Sequence, residues 1–546
     1  MIAQAAGNSG MVSLVVIVCY MVMLIGLGYF ASRSFKGTSA DYFVASRGIG
    51  PFVLLMSLFG TTMTAFAIIG SSGEAYNAGI GVYGKMVSWS GIFHSFCFFL
   101  VGIKLWRLGK QHGYMTQIQF FRDRFESNNI GLLLFPILVG LIIPYLLMGV
   151  IGGATAIEKI TSGAFPEMFA ATKGGLPFWA GGLMMCVVVL IYIFFGGVRG
   201  AAWANALQTS IFVVLGIVMF VAIANKLGGP AAATEQVAKY NPSYLKVAIS
   251  EADHERFLAQ QAAFEAGESK IQPREPEEIP PLVFLTYMFI PFSVAMFPHL
   301  FQHWLTAKSA SSFKLSVVMH PLLMMMTWLP CVLIGIWATS ATMPDGSLVI
   351  PIGTPQNSVL PIMIAKLVKS PILGGLVTAG VLAAIMSSLD SQFMCLGSIF
   401  TNDIVGHYVA KEKLSDNTKV LLGRGFIVVI VAITYFLALS LRGASVFKLG
   451  VWCFTGFASL APLVFGALYW KRLTKMGAYA TIITAVAVGG YLFWDASRLE
   501  GTKDPTVFGV MPVALIFGAS TVVMFLVSLV TPAPSPATLK KFFKNP

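Results

Sequence analysis

The chain has 546 residues, 56% of them hydrophobic and 11% charged, and its mean hydropathy is +0.79. That balance excludes a soluble globular protein and implies a polytopic membrane protein. The formal net charge of +13 comes from lysines and arginines scattered over many loops, with no aromatic-basic stripe, which excludes a nucleic-acid surface.

Thirteen apolar segments follow one another, at about 11–32, 51–72, 80–106, 131–155, 177–195, 203–225, 282–304, 316–339, 371–402, 421–440, 447–469, 476–495 and 508–531. They are numbered here as spans 1 to 13. Each suffices to cross a hydrocarbon layer of about 30 Å as a helix, and the alternating pattern of a membrane barrel is absent. The predicted fold class is therefore an all-α polytopic membrane protein of about 13 helices. Span 1 is too long for a cleavable signal and leads into a basic loop, so it reads as a span.

Basic residues in short loops predict orientation. They follow spans 1 (Arg33, Lys36, Arg47), 3 (Lys110, Arg122, Arg124), 7 (Lys308, Lys314), 9 (Lys411, Lys413, Lys419) and 11 (Lys471, Arg472, Lys475), and the tail adds Lys540, Lys541 and Lys544. With thirteen spans these all fall on one side. That side is expected to be cytoplasmic, with the N-terminus outside and the C-terminus inside. The segment 226–281, with nine acidic and six basic side chains, then lies outside as an exposed, partly helical cap.

Two spans look broken. Span 2 contains Gly60-Thr61-Thr62-Met63-Thr64, small, polar and poor in helix formers; span 7 contains Pro291 and Pro298. Irregular backbone at membrane depth is tolerated where it lines a cavity or is buried in protein. Interrupted helices in corresponding places of two repeats point to a secondary-transporter site. Spans 2 and 7 would each open a five-helix repeat. The division is then 1–50, an extra helix and inner loop; 51–225, the first repeat; 226–281, the cap; 282–470, the second repeat; and 471–546, two C-terminal helices and a basic tail.

Span 9 carries Ser387, Ser388, Asp390, Ser391 and Gln392 in an otherwise apolar helix. Ala384, Ser387 and Ser388 share one helical face. Unwinding in span 2 would free the carbonyls of Gly60 and Met63. Those two carbonyls, that of Ala384 and two serine hydroxyls make five neutral oxygens, a plausible sodium cage. The serines can equally serve as packing contacts or bond back to their own helix. The six cysteines lie inside apolar runs without a metal-ligand or CxxC spacing and read as small buried hydrophobes.

These residues resemble a family. "GGLVTAGVLAAIMSSLDSQFMCLGSIFTNDI" looks like the signature of the sodium:solute symporters, and "DYFVASRGIGPF", "GGVRGAAWANALQ", "FQHWLTAKS" and "GALYWKRLTKMGA" resemble other stretches of that family. The resemblance runs from about residue 40 to 490. It implies a LeuT-type 5+5 inverted repeat with extra terminal helices, alternating access, and Na+ as the coupling ion. The sodium positions carried over are Gly60, Met63, Ala384, Ser387 and Ser388. In span 6 the family usually places an aspartate where this chain has Asn205, while Asp390 stands where many members have a small neutral residue. Asp390, with Ser391 and Asn205, is therefore a candidate for a second cation or a proton, the missing charge moved to another helix; the alternative is an aspartate hydrogen-bonded as structural glue. Intramembrane carboxylates are costly and usually functional.

The resemblance leaves the solute open. Span 2 offers Thr61, Thr62 and Thr64 but no side chain suited to sugar hydroxyls. Lys85 in span 3 lies close to where sugar-carrying members keep an acidic residue, and would favour an anion unless it snorkels to the outer surface. The positive ends of the half-helices favour a carboxylate too. Tyr287, Ser293, His299 and Trp452 complete the candidate solute contacts. The reading is a monocarboxylate or pantothenate-like solute, with a neutral amino acid, sugar or polyol as the alternative. No nucleophile with a partner or metal triad suggests an enzyme. A channel gives no reason for two broken helices. A transporter-like sensor would usually carry a signalling domain. A bacterial cytoplasmic membrane is the expected location; oligomeric state is not legible.

Overall fold

Glycine and proline decide where these helices bend. The computed structural model describes residues 2–33, 38, 42–43, 47–267, 271–410, 414–498 and 506–543; Lys36, Lys411, Lys413 and Lys544 lie outside them. Among the described residues, ten helices are long and apolar enough to cross a membrane, or twelve if each of two bent pairs is one span. Phe178–Phe194 is a shorter apolar helix. All thirteen expected segments coincide with helix.

Span 2 is the pair Pro51–Thr62 and Phe66–Ala78, bent by 58°, and span 7 is Pro281–Ala295 and Pro298–Thr306, bent by 53°. The two bends have different causes. In span 2 the chain leaves the helix at Met63 (φ −89°, ψ 90°), and the Thr64 hydroxyl accepts the Phe66 N–H at 3.0 Å, capping the second half. In span 7, Pro298 opens the second half at its first turn. An N–H at that position would have no intrahelical acceptor, so the proline removes no hydrogen bond, and it holds the preceding Phe297 extended (φ −63°, ψ 116°). Spans 5 and 6 form one run, Phe178–Lys226, interrupted at Gly197 (φ 55°). A side chain there would meet the Tyr42 ring at 2.8 Å as well as the unfavourable φ.

Span 9 (Pro371–Val409) is the central helix. Every residue from Val377 to Ile399 is buried, which is why this helix can carry polar side chains without facing lipid. The remaining spans are Ile2–Ser32, Gly81–His112, Asn129–Ile160, Gly196–Lys226, Phe313–Trp337, Asp416–Ser440, Val446–Tyr469, Lys475–Ala496 and Pro512–Val530.

Outside the spans, the 226–281 segment folds into helices Pro230–Tyr240 and Glu251–Glu265. Ser250 and Asp253 form a reciprocal cap at the start of the second. Lys246, 2.5 Å away, together with Ser250 holds the Asp253 carboxyl down at about 2. One expectation is corrected here: Cys19 is exposed on the side of span 1 rather than buried, while the other five cysteines are buried. The basic C-terminal tail includes a helix, Pro536–Phe543, with Thr538 and Phe542 buried.

Candidate functional site

The bend of span 2 lies against the polar turns of span 9. The Ser387 hydroxyl stands 2.9 Å from the Gly60 carbonyl and 2.9 Å from the Ala384 carbonyl. One hydroxyl proton cannot serve both oxygens fully, so this knot of neutral oxygens is under-supplied with donors. Glycine at position 60 permits the approach: a Cβ there would collide with the Thr209 hydroxyl and come within 3.4 Å of Ser387 Oγ. Beside it, the Thr61 hydroxyl is buried with no hydrogen-bond partner among the described residues. Ser388 faces another way round the helix and accepts from Gln392 Nε2 at 2.7 Å. Gly60, Ala384 and Ser387 are thus joined by direct contacts, Ser388 is adjacent, and Met63 sits at the unwound turn.

One turn further along span 9, Asp390 is fully buried. The Tyr192 hydroxyl donates to it at 3.1 Å and the Ser391 hydroxyl stands 3.1 Å from Oδ1. With the Asn205 amide oriented to suit its neighbours, its nitrogen lies 3.0 and 2.9 Å from the two carboxylate oxygens and its oxygen accepts from Ser391 at 2.9 Å. Ser391 also reaches His303 Nε2 at 2.9 Å. Spans 5, 6 and 9 therefore meet at this carboxyl, span 7 joins them through Ser391, and Asn205 is in contact with the carboxyl.

Between the two bends lies an aromatic wall. Phe66 stacks on Phe447 (4.9 Å between centroids) and meets Phe454 edge-on (5.0 Å). Tyr145 touches Phe454 (5.2 Å), Phe297 (5.3 Å) and His299 (5.4 Å). His299 stacks on Phe297 at 5.1 Å. It is fully buried, and among the described residues neither ring nitrogen has a hydrogen-bond partner. A buried imidazole without partners costs free energy that a ligand can recover.

The other solute candidates are dispersed. Thr64 caps the span 2 break. Thr62 bonds the carbonyls of Leu58 and Phe59 and lies 3.1 Å from His320 Nε2, on the side of spans 3 and 8. Ser293 is buried in the first half of span 7, where its carbonyl accepts from Met296 and Phe297. Trp452 is not brought to the bends: it packs on Phe493 of span 12 at 5.0 Å, at the rim of the bundle. Lys85 does not snorkel. It is 2% exposed, 3.6 Å from Glu74, with the Tyr287 and Phe447 rings 5.7 and 5.2 Å away. Glu74 escaped the sequence reading because span 2 was expected to end near residue 72, whereas its second half runs to Ala78. Tyr145 and Tyr192 were missed as well; tyrosines in apolar runs give no signal that separates a hydroxyl with a task from a packed ring.

Comparison with known proteins places this geometry. A family model described as the sodium:solute symporter family matches residues 42–485. An osmoregulated proline transporter of Bacillus subtilis (strain 168) is 24% identical over 530 residues, covering 96% of each chain. A sodium/proline symporter of Staphylococcus aureus (strain bovine RF122 / ET3-1) is 24% identical, over 96% of this chain and 94% of its own. Among solved structures, a Na+-coupled sialic acid symporter in a substrate-bound outward-open state superposes with a TM-score of 0.71 at 15% identity, over 96% of this chain and 99% of that one. At that identity the likeness is one of fold.

Proposed function

The chain belongs to the sodium:solute symporter family, and from that premise we propose that this sodium-coupled symporter imports a small solute bearing a carboxylate, by alternating access. The observation that carries the reading is His299. Its two partnerless nitrogens lie at the bend of span 7, one residue inside the half-helix that Pro298 opens. A half-helix start is positive, and an N–H of the imidazole adds a donor, so a carboxylate suits this place. The aromatic wall beside it suits an apolar body.

Lys85 does not support a net anion, because Glu74 offsets its charge. A zwitterion such as proline is the second reading, favoured by the solute named for the two relatives at 24% identity and by rings that can face an ammonium.

Sodium is co-transported cargo in this scheme. Its proposed ligands are the carbonyls of Gly60, Met63 and Ala384 and the hydroxyls of Ser387 and Ser388. A cation there supplies what the single Ser387 proton cannot, and ties the bend of span 2 to span 9. Asp390, with Ser391 and Asn205, is proposed to take a second cation or a proton. The basic loops face the cytoplasm of a bacterial cell, with the N-terminus outside.

The test is thermal stability of the purified protein in sodium against potassium, with a panel of carboxylates, amino acids including proline, and sugars. A ligand that binds only the folded state raises the melting temperature. We expect a sodium-specific rise that Ser387→Ala abolishes, and a further rise with one carboxylate-bearing solute that His299→Ala abolishes. No response to sodium would overturn the cation site; a further rise with sugars alone would overturn the solute class.

A further inference from the structure

The solute path leaves unused a cavity of about 1080 Å³ at the basic end of the bundle, where the ends of spans 3, 8 and 11 meet the tail helix. Its lining contains Lys104, Arg107, His112, Lys314, Lys540 and Lys541 and, among the described residues, no acidic side chain. Two of these cations are engaged. Lys541 pairs with Asp123 at 2.5 Å, and Lys104 donates to the Leu468 carbonyl at 2.5 Å while lying over the Tyr469 ring. Arg107, Lys314 and Lys540 have no carboxylate within ion-pair distance among the described residues, and all three are exposed. The tail is seated where it can complete the site: Phe542 is buried against His112 and Phe120.

The remaining wall is apolar and continues toward the middle of the membrane. Spans 3 and 8 lie side by side, with the Ser95 hydroxyl donating to the Val317 carbonyl at 2.8 Å. On span 3, Phe96 and Phe99 are 41% and 59% exposed; on span 8, Val318 and Leu322 are 63% and 47% exposed. Two apolar stripes thus lead into a pocket where three cations have no carboxylate partner among the described residues. A soluble anion would use only the cations. A molecule with a charged head and long hydrocarbon chains would use both, and basic pockets between helices at the cytoplasmic boundary are suited to acidic head groups.

We propose that this cavity binds an anionic phospholipid, its phosphate held by Arg107, Lys314 and Lys540 and its acyl chains laid along the furrow between spans 3 and 8. The lipid would bridge the tail helix to the two spans. The inference does not depend on which solute is carried.

The experiment is a melting-temperature titration of the purified full chain in neutral detergent and potassium salts, so that sodium sites stay unloaded. The probes are cardiolipin, dioleoyl phosphatidylglycerol, dioleoyl phosphatidylcholine and potassium phosphate. The two anionic lipids should raise the melting temperature and phosphatidylcholine should not. Arg107→Gln/Lys314→Gln/Lys540→Gln should need roughly 100-fold more anionic lipid, from about one factor of five per charge near a membrane surface. A control with three other basic residues changed, Lys419→Gln/Lys471→Gln/Lys475→Gln, should respond like the unmodified protein. Phe99→Ala/Val318→Ala keeps every charge and should weaken the response to long-chain lipid more than to a short-chain phosphatidylglycerol. The proposal is overturned if the unmodified protein does not respond, if the pocket triple variant responds unchanged, if the control loses the effect equally, or if phosphate alone reproduces it.

Discussion

Two aspartates of span 9, both fully buried, keep opposite company. Asp403 faces a cation, with Arg122 Nη2 at 3.4 Å from Oδ1. Among the described residues Asp390 faces neutral groups only: the Tyr192 phenol, the Ser391 hydroxyl and the Asn205 amide. The first arrangement sets a cation 3.4 Å from the carboxyl. The second satisfies oxygens but leaves any negative charge uncancelled in a medium that penalises it. An ion pair joins elements; the carboxyl among neutral donors is the one proposed to take up and release a cation or a proton. The proposed division is between structural charge and charge available for transport, and it can be tested by removing each partner in turn.

The largest cost to the fold is expected at the pair of Arg122 and Asp403. Arg122→Ala leaves Asp403 buried without its cation, which costs about 3–5 kcal/mol when a buried pair loses one member. Melting in detergent should fall clearly, while the sodium-induced rise persists because Gly60, Ala384 and Ser387 are untouched. A melting temperature equal to that of the unmodified protein would place Asp403 among the uncharged carboxyls and dissolve the contrast.

Lys85 and Glu74 offer an intermediate case. Glu74→Gln strands the lysine, but the Tyr287 and Phe447 rings remain at 5.7 and 5.2 Å. A desolvated cation over rings recovers about 2 kcal/mol of the loss, so the net cost should be about 1–3 kcal/mol. The double change Lys85→Met/Glu74→Leu should restore or exceed the original stability, since well-packed apolar groups often replace a buried pair without loss. Solute binding that survives the double change would remove Lys85 from the solute contacts, and solute binding lost with stability intact would return it to them.

How much of this was legible depends on the kind of signal. The breaks were, because a Gly-Thr-Thr-Met-Thr run and an internal Pro-X6-Pro are local violations of helix chemistry. Ala384 and Ser387 were, because helical periodicity puts them on one face. Their meeting with Gly60 across more than three hundred residues was expected from the resemblance and from paired broken helices, not from periodicity alone. Glu74 was hidden by a span end misjudged by six residues. Trp452 was misplaced because an apolar helix gives little indication of which aromatic turns outward. Tyr192 and His303, which complete the Asp390 cluster, come from other helices, and no spacing rule links them to it.

The smallest cost to the fold is expected at Asp390, and there the comparison is sharpest. Asparagine has the shape of aspartate, and the Asn205 amide can turn over to donate or accept, so Asp390→Asn should cost about 1 kcal/mol. A structural carboxyl so replaced would leave transport as it was. A carboxyl that takes a second cation or a proton would not: the dependence of solute uptake on sodium concentration should lose steepness, or its dependence on pH should flatten, with melting almost unchanged. Uptake with the original sodium and pH dependence would sink the proposal and make Asp390 a hydrogen-bonded brace between spans 5, 6 and 9. A changed dependence in a protein that still melts normally would mean that the charge absent at Asn205 is supplied from span 9, with Ser391 and its single proton shared between the carboxyl, the amide and His303.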